Sequence, residues 1–119
     1  MVIKNVEKVW GREEWLVNVK EYCAKYLYVN HGASCSMHYH PVKKETFICV
    51  KGELTIDIDR IFYDLTPDTK PVTILPGTPH KFYGKGEDNI LLEISTHHED
   101  DDVVRLNESK SGQESKTTP

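Results

Sequence analysis

The chain has 119 residues, a formal net charge of −4 and 38% hydrophobic residues, which is typical of one small globular domain. This mildly acidic balance lacks the basic surface that nucleic acid or an anionic membrane requires, so we expect neither as a partner. No apolar run approaches the roughly 20 residues of a membrane-spanning helix, and the first residues lack the apolar stretch of a signal peptide. We therefore predict a cytoplasmic protein.

The chain has three cysteines, Cys23, Cys35 and Cys49, and none of them has CxxC spacing. We expect them to be reduced thiols packed in the interior.

Short segments that alternate apolar and polar residues, separated by Gly, Pro and Asn turn signals, follow one another along most of the chain. Residues 2–15 look irregular and carry two tryptophans, Trp10 and Trp15. Beyond them, eight short extended segments are predicted, at residues 21–30, 34–40, 45–50, 54–58, 61–65, 72–75, 80–83 and 89–95. No amphipathic helix pattern interrupts the series, so the sequence predicts an all-β antiparallel sandwich or barrel.

The same pass along the chain predicts three regions. Residues 1–21 form an N-terminal segment that packs on the barrel, and residues 22–106 form the β-barrel itself. Residues 107–119 contain no apolar side chain and are predicted to be a disordered tail.

Three histidines and a glutamate stand where their side chains can meet. His38 and His40 lie two apart on extended chain, so both point to one face. Glu45 opens the next strand and can face back toward them, and a Pro-Gly turn presents His80 at the start of a later strand. Three imidazoles and one carboxylate suit zinc, manganese, iron or nickel, so we predict one divalent transition metal of undetermined identity. The alternative is a buried polar network without a metal.

The segment from Gly32 to Gly52 resembles the first cupin motif, G-x5-H-x-H-x4-E-x6-G, at every fixed position. The segment around His80 resembles the second cupin motif in part: the upstream glycine of that motif is absent, and Gly84 stands where the motif has Asn. The resemblance implies a single-domain jelly-roll barrel, whose metal ligands would be the four side chains named above. Cupins usually dimerise through exposed sheet edges, so we also expect a homodimer.

Two flanking segments narrow this resemblance. Residues 8–11 and 92–105 are similar to the entry and the ending of type II phosphomannose isomerase cupins and of D-lyxose ketol-isomerase-like cupins. This likeness implies an aldose–ketose isomerase that acts on a small-molecule sugar or sugar phosphate by enediol proton transfer. It also implies family-type positions at Lys25, Glu93, Asp101, Asp102 and Arg105.

Two of these positions are predicted to be catalytic. Glu93 shares its strand face with Leu91, and if that face is inward its carboxylate is the best candidate for the base. Lys25 shares a face with Leu27, where a buried amine needs a partner or a substrate. We further expect four side chains to bind substrate: Phe47, Tyr39, His97 and Arg105. Candidates for a phosphate contact are Lys25, Lys43, Lys44 and Lys81.

Two other functions stay open at this point, because the cupin fold hosts many activities. One is a different cupin enzyme, such as an Fe(II) oxygenase or an epimerase-like protein. The other is a non-catalytic carbohydrate-binding or regulatory cupin. The sequence also leaves open the role of the acidic run at residues 99–102.

Overall fold

The structure, a computed structural model, describes residues 2–112. Its strands pair antiparallel throughout. In chain order the strands are β1 (Lys4–Lys8), β2 (Gly11–Asn18), β3 (Cys23–Asn30), β4 (His38–Tyr39), β5 (Glu45–Lys51), β6 (Leu54–Ile58), β7 (Ile61–Leu65), β8 (Val72–Ile74), β9 (His80–Gly84), β10 (Asp88–Ser95) and β11 (Val104–Arg105).

Two sheets pack face to face. The larger sheet has the strand order β1-β2-β3-β10-β5-β8, and the smaller has the order β11-β4-β9-β6-β7. Alternate side chains of the strands meet between the sheets and form an apolar core. Its members include Leu27, Val29, Phe47, Leu54, Ile56, Ile74, Phe82 and Leu91. This arrangement confirms the predicted all-β jelly roll.

Period-two alternation places two charged side chains on the inner face of the larger sheet. Along β3, every second residue from Cys23 to Val29 is buried, and Lys25 is among them. Along β10 the buried positions include Leu91 and Glu93. Lys25 and Glu93 are cross-strand partners and are only 1% and 4% exposed. The predicted inward faces of both strands are therefore confirmed.

The N-terminal segment is more regular than expected. Instead of an irregular stretch at residues 2–15, β1 and β2 form a hairpin that extends the larger sheet next to β3. The alternation signal is weak there because this hairpin lies at the edge of the sheet and its residues are mostly half-buried or exposed. Trp10, in the turn, is buried and meets the ring of Phe82 at 5.0 Å. A side chain at Gly11 would collide with the carbonyl of Tyr28, so the close pairing of β2 with β3 requires glycine.

The predicted tail is ordered as far as the structure describes it. The side-chain oxygen of Asn107 accepts a hydrogen bond from the Met37 amide, and the backbones of Lys110 and Ser34 exchange two hydrogen bonds. The prediction of disorder from residue 107 is thus wrong up to residue 112, because hydrogen bonds of the backbone and of a polar side chain can fix a segment that has no apolar side chain. Residues 113–119 lie outside the described part. We call residues 96–110 the C-terminal strap.

The structure also shows the state of the cysteines and the character of the chain with respect to membrane spans. Cys23, Cys35 and Cys49 are buried free thiols, as expected. Across residues 2–112, no helix is long and apolar enough to cross a membrane.

Candidate metal centre

Four potential metal ligands converge between the sheets. His38 lies on β4, His40 directly follows it, and Glu45 and His80 open β5 and β9. The register of β4 and β9 sets His38 opposite His80, with ring centroids 4.4 Å apart. One ligand atom from each of the four side chains lies within 4.8 Å of the others.

Backbone carbonyls fix the orientation of all three imidazoles. The Nδ1 atom of His38 lies 2.7 Å from the Ser36 carbonyl oxygen, that of His40 lies 2.7 Å from the Asp102 carbonyl oxygen, and that of His80 lies 2.8 Å from the Thr78 carbonyl oxygen. Because a carbonyl oxygen only accepts hydrogen bonds, each Nδ1 carries the proton. In the neutral ring each Nε2 then keeps a lone pair, as in histidines that bind metals.

The carboxylate of Glu45 is the fourth member of the cluster, and its buried oxygens lie close to the Nε2 atoms of two histidines. Its Oε1 atom lies 2.7 Å from His80 Nε2 and 3.7 Å from His40 Nε2. With the proton of each neutral imidazole on Nδ1, the carboxylate oxygen and both Nε2 atoms present lone pairs to one another. Within residues 2–112, neither Glu45 oxygen nor His80 Nε2 has a hydrogen-bond partner, although all are buried. Buried polar atoms left in this state are costly. A divalent cation between them removes that cost, so the residues present fit a metal ion.

The protonation states of the ligands also suit a metal. Burial, with His80 close by, lowers the pKa of His38 to about 3, and burial lowers the pKa of His40 as well. Burial alone would raise the pKa of Glu45, but the ammonium group of Lys43, 3.4 Å away, holds it below its usual range. At neutral pH these histidines are neutral and the glutamate is ionised, which are the forms that bind metals.

A cavity of about 310 Å³ opens beside the cluster. Three of the four potential ligands line it, namely His38, His40 and Glu45, while His80 lies behind them, 1% exposed. Aromatic and aliphatic side chains form one part of its wall: Trp10, Leu27, Phe47 and Phe82. A concave site with apolar walls and a few convergent polar groups is the usual form of a small-molecule site.

Polar side chains from the larger sheet, from the turn before β5 and from the segment after β10 form another part of the wall. The Nζ atom of Lys43 lies 3.2 Å from Glu93 Oε2, 3.4 Å from Glu45 Oε2 and 3.4 Å from His98 Nδ1. The Nζ atom of Lys25 lies 3.1 Å from His98 Nδ1 and 3.7 Å from Glu13 Oε1. We call these five residues, Glu13, Lys25, Lys43, Glu93 and His98, the lysine network.

The charges of the lysine network compensate one another, as buried charges must. Burial would lower the pKa of Lys43, but Glu93 and Glu45 raise it well above its usual range. Burial and the charge of Lys25 lower the pKa of His98, which keeps that ring neutral. Its Nδ1 then accepts from the lysines while its Nε2 donates to Asp100 over 2.9 Å.

Four of the six residues predicted to act on or bind substrate line the cavity: Lys25, Glu93, Phe47 and Arg105. Tyr39 and His97 are not among its lining residues. Tyr39 lies between His38 and His40 on extended chain, so its side chain points away from theirs. The ring of His97 contacts the Val19 carbonyl oxygen and Glu99 instead.

The lysine network contains residues whose position the sequence did not reveal. Of the phosphate candidates, Lys25 and Lys43 line the cavity, whereas Lys44 is exposed and the amine of Lys81 lies over the ring of Tyr83. Lys43 stands two residues before Glu45, and this spacing is a signal that could have placed both on one face. Glu13 and His98 carry no comparable signal, because they reach the cavity from the edge hairpin and from the C-terminal strap.

Residues 25–95 match the family model for the cupin domain. A curated oxidoreductase of Arthrobotrys oligospora is 33% identical over 83 residues, which are 67% of this chain and 32% of that protein. A mannose-1-phosphate guanylyltransferase of Sinorhizobium fredii is 31% identical over 102 residues, covering 82% of this chain and 19% of that protein. A D-lyxose/D-mannose isomerase of Thermosediminibacter oceani is 30% identical over 115 residues, covering 74% of this chain and 63% of that protein. The chain thus spans less than two thirds of each relative.

Solved structures share the fold. The capsular polysaccharide assembling protein CapF of Staphylococcus aureus superposes with a TM-score of 0.78 at 19% identity. The match covers 87% of this chain and 34% of that protein. At this level of identity the likeness concerns the fold.

Proposed function

The chain belongs to the cupin family, and we propose that it is a metal-dependent isomerase that interconverts an aldose and a ketose, either free or phosphorylated. One observation carries the proposal. The carboxylate of Glu93 lines the same cavity as three ligands of the candidate metal centre, and Lys43 bridges Glu93 to Glu45. The similarity to a D-lyxose/D-mannose isomerase supports this assignment.

The reaction moves a proton between C1 and C2 of the sugar through an enediol. It needs a group that polarises the carbonyl and a base beside the carbon that loses the proton. A divalent ion held by His38, His40, Glu45 and His80 would supply the Lewis acid for the carbonyl oxygen.

Glu93 is the proposed base. Its side chain is almost fully buried, and its Oε2 atom is held by the ammonium group of Lys43. That contact fixes the carboxylate in the cavity, where it can take the proton from one carbon and return it to the other. Lys43 also holds Glu45, so the base and the metal centre share one anchoring cation.

Other residues of the cavity would bind and orient the sugar. Lys25 is positioned to hydrogen-bond a hydroxyl, because its amine lies in the polar wall with His98. Phe47 gives an apolar surface for the C–H face of a sugar, and Arg105, which also lines the cavity, can contact a hydroxyl or phosphate group. With Tyr39 and His97 outside the cavity lining, substrate binding is assigned to Phe47 and Arg105.

Proton NMR in D₂O tests this function. The protein is loaded in turn with Mn, Zn, Fe(II), Co or Ni and incubated with a panel of aldoses and aldose phosphates. We expect ketose to form with deuterium at C1 or C2. Glu93→Gln should reduce the rate about 10²- to 10⁴-fold, the usual contribution of a general base. Absence of both ketose and exchange with every metal would contradict the proposal and favour a carbohydrate-binding cupin.

A second candidate is an iron-dependent oxygenase. The relative from Arthrobotrys oligospora, described as an oxidoreductase, favours it, and three imidazoles with a carboxylate also suit iron. Substrate-dependent oxygen uptake by the Fe(II)-loaded protein would distinguish it from the isomerase, which consumes no oxygen.

We also propose that the protein is a homodimer. The smaller sheet ends at β7, an edge strand that exposes Ile61, Phe62 and Tyr63. An open edge of this kind favours association. Sedimentation equilibrium at micromolar protein should give twice the chain mass, and a mass of 13.7 kDa would contradict the dimer.

A further inference from the structure

The C-terminal strap runs beside the segment that carries His38 and His40. Thr96 exchanges two hydrogen bonds with Lys44 at one end, and Lys110 exchanges two with Ser34 at the other. Between these ends, β11 pairs with β4 and the Leu106 amide donates to the Met37 carbonyl. The strap therefore forms the outer neighbour of the histidine strand at the edge of the smaller sheet.

Asp102 makes three of the hydrogen bonds between the C-terminal strap and the segment that carries the ligand histidines. Its backbone carbonyl oxygen accepts the hydrogen bond from His40 Nδ1 over 2.7 Å. Its carboxylate accepts two more, from the Val42 amide to Oδ1 and from the Lys43 amide to Oδ2, each over 2.9 Å. One residue thus holds a ligand histidine and also the turn that joins it to the next ligand.

The turn that Asp102 holds decides where two important side chains stand. Residues 41–44 connect His40 to Glu45, and Lys43 belongs to both this turn and the lysine network. The two amides held by Asp102 lie outside any strand pairing. Without the carboxylate they would turn to water, and the spacing between His40 and Glu45 would be free to vary.

Asp102 is itself held in place, as a positioning residue must be. Its own amide donates to the Glu99 carbonyl oxygen over 3.0 Å, which closes a turn, and β11 follows two residues later. Asp101, next to it, is exposed. The two aspartates therefore carry the same charge in nearly the same place but differ in their contacts with the candidate metal centre.

We propose that Asp102 is a positioning residue of the metal centre: its carboxylate fixes the turn from His40 to Glu45 and thereby holds its own backbone carbonyl against the ring of His40. The sequence left the role of the acidic run at residues 99–102 open, and this proposal gives one of its members a structural role at the metal centre. The inference rests on the metal site of the proposed function and is independent of the reaction catalysed there. Outer partners of metal ligands typically contribute about 10- to 100-fold to metal affinity.

The test compares metal binding by the full-length wild type, Asp102→Ala, Asp102→Asn and Asp101→Ala. Zn(II) affinity is measured by competition with a chelator, and the geometry of the site is followed through the visible absorption of Co(II). We expect Asp102→Ala to bind Zn(II) about 10- to 100-fold more weakly and to alter the Co(II) spectrum. Asp102→Asn keeps one acceptor oxygen and should lose less. Asp101→Ala removes the same charge and should bind as the wild type does.

The outcomes separate this inference from the proposed function. Equal affinities of Asp102→Ala and the wild type, or equal losses in both alanine variants, would overturn the positioning role even if the wild type isomerises sugars. A selective loss at Asp102 would support that role even if no sugar is isomerised. A wild type that binds neither metal would overturn both. Circular dichroism of the metal-free variants checks folding, and if Asp102→Ala does not fold, Asp102→Asn against Asp101→Asn decides.

Discussion

The two polar regions of the cavity are built in different ways. In the metal centre, each imidazole is oriented by a backbone carbonyl, so the ligand geometry follows directly from the fold. In the lysine network, side chains hold one another, with Lys43 and Lys25 shared among Glu13, Glu93 and His98. The comparison teaches that the orientation of the ligands depends on how the backbone is held, whereas the lysine network depends on a complete set of charges.

The largest effect is expected from removing the charge at the metal centre. Glu45→Gln replaces the one anionic ligand, so metal affinity should fall by more than the roughly 100-fold that a change in an outer partner costs. Isothermal titration with Zn(II) measures it. Glu53→Gln, an exposed carboxylate 3.7 Å from Lys85, is the control and should bind normally. Affinity within tenfold of the wild type would place the metal elsewhere.

Breaking the lysine network should lower stability. Lys43→Met leaves Glu45 and Glu93 buried without their shared cation, and breaking a buried ion pair typically costs about 3–5 kcal/mol. Urea unfolding with a chelator present measures this cost. The matched change at the surface, Lys85→Met, removes an exposed pair and should cost less than about 1 kcal/mol. Similar losses in the two variants would show that the network is not a unit.

The histidines of the metal centre should make the metal-free protein sensitive to acid. His38 binds a proton near pH 6.5 when unfolded but only at a pKa of about 3 when folded. The unfolded chain therefore binds more protons between these values, and stability should fall by about 1.4 kcal/mol per pH unit for each such histidine as the pH is lowered. Urea unfolding at several pH values measures the slope. His38→Asn should make it shallower, and an unchanged slope would contradict this origin.

The smallest effects are expected outside both regions. Tyr39 and His97 lie beside residues of the cavity but not in its lining, so Tyr39→Phe and His97→Asn should leave sugar turnover and metal affinity within about twofold of the wild type. Phe47→Ala is the matched positive control, because that ring does line the cavity. A large loss of turnover in either of the first two variants would mean that substrate binding rearranges this side of the barrel.

The same comparison explains how much the sequence could predict. The first three ligands of the metal centre lie within eight positions at a spacing that extended chain brings to one face, and His80 follows a recognisable turn. Alternation also placed Lys25 and Glu93 on inner faces, because each belongs to a strand with apolar neighbours. Both features depend on residues close together in the sequence, so they could be predicted from it.

The remainder depends on contacts between distant parts of the chain. His98 reaches Lys25 from 73 positions away, and Asp102 reaches the turn at Lys43 from 59 positions away. The strap is polar and the edge hairpin is charged, so neither shows an apolar period. Part of their order comes from backbone pairing, which depends little on residue type. Residue types alone therefore did not distinguish the end of the strap, from residue 107 onward, from a disordered tail.

The position of the strap has a consequence for any shortened form of this protein. The match to the cupin family ends at residue 95, and a fragment cut there would still contain all four metal ligands. It would also uncover one side of β4, so the strand that carries His38 would become an unpaired edge. Exposed edges of this kind recruit strands from other molecules. Such a fragment would be expected to aggregate, and the practical boundary of the folding unit lies at or beyond residue 110.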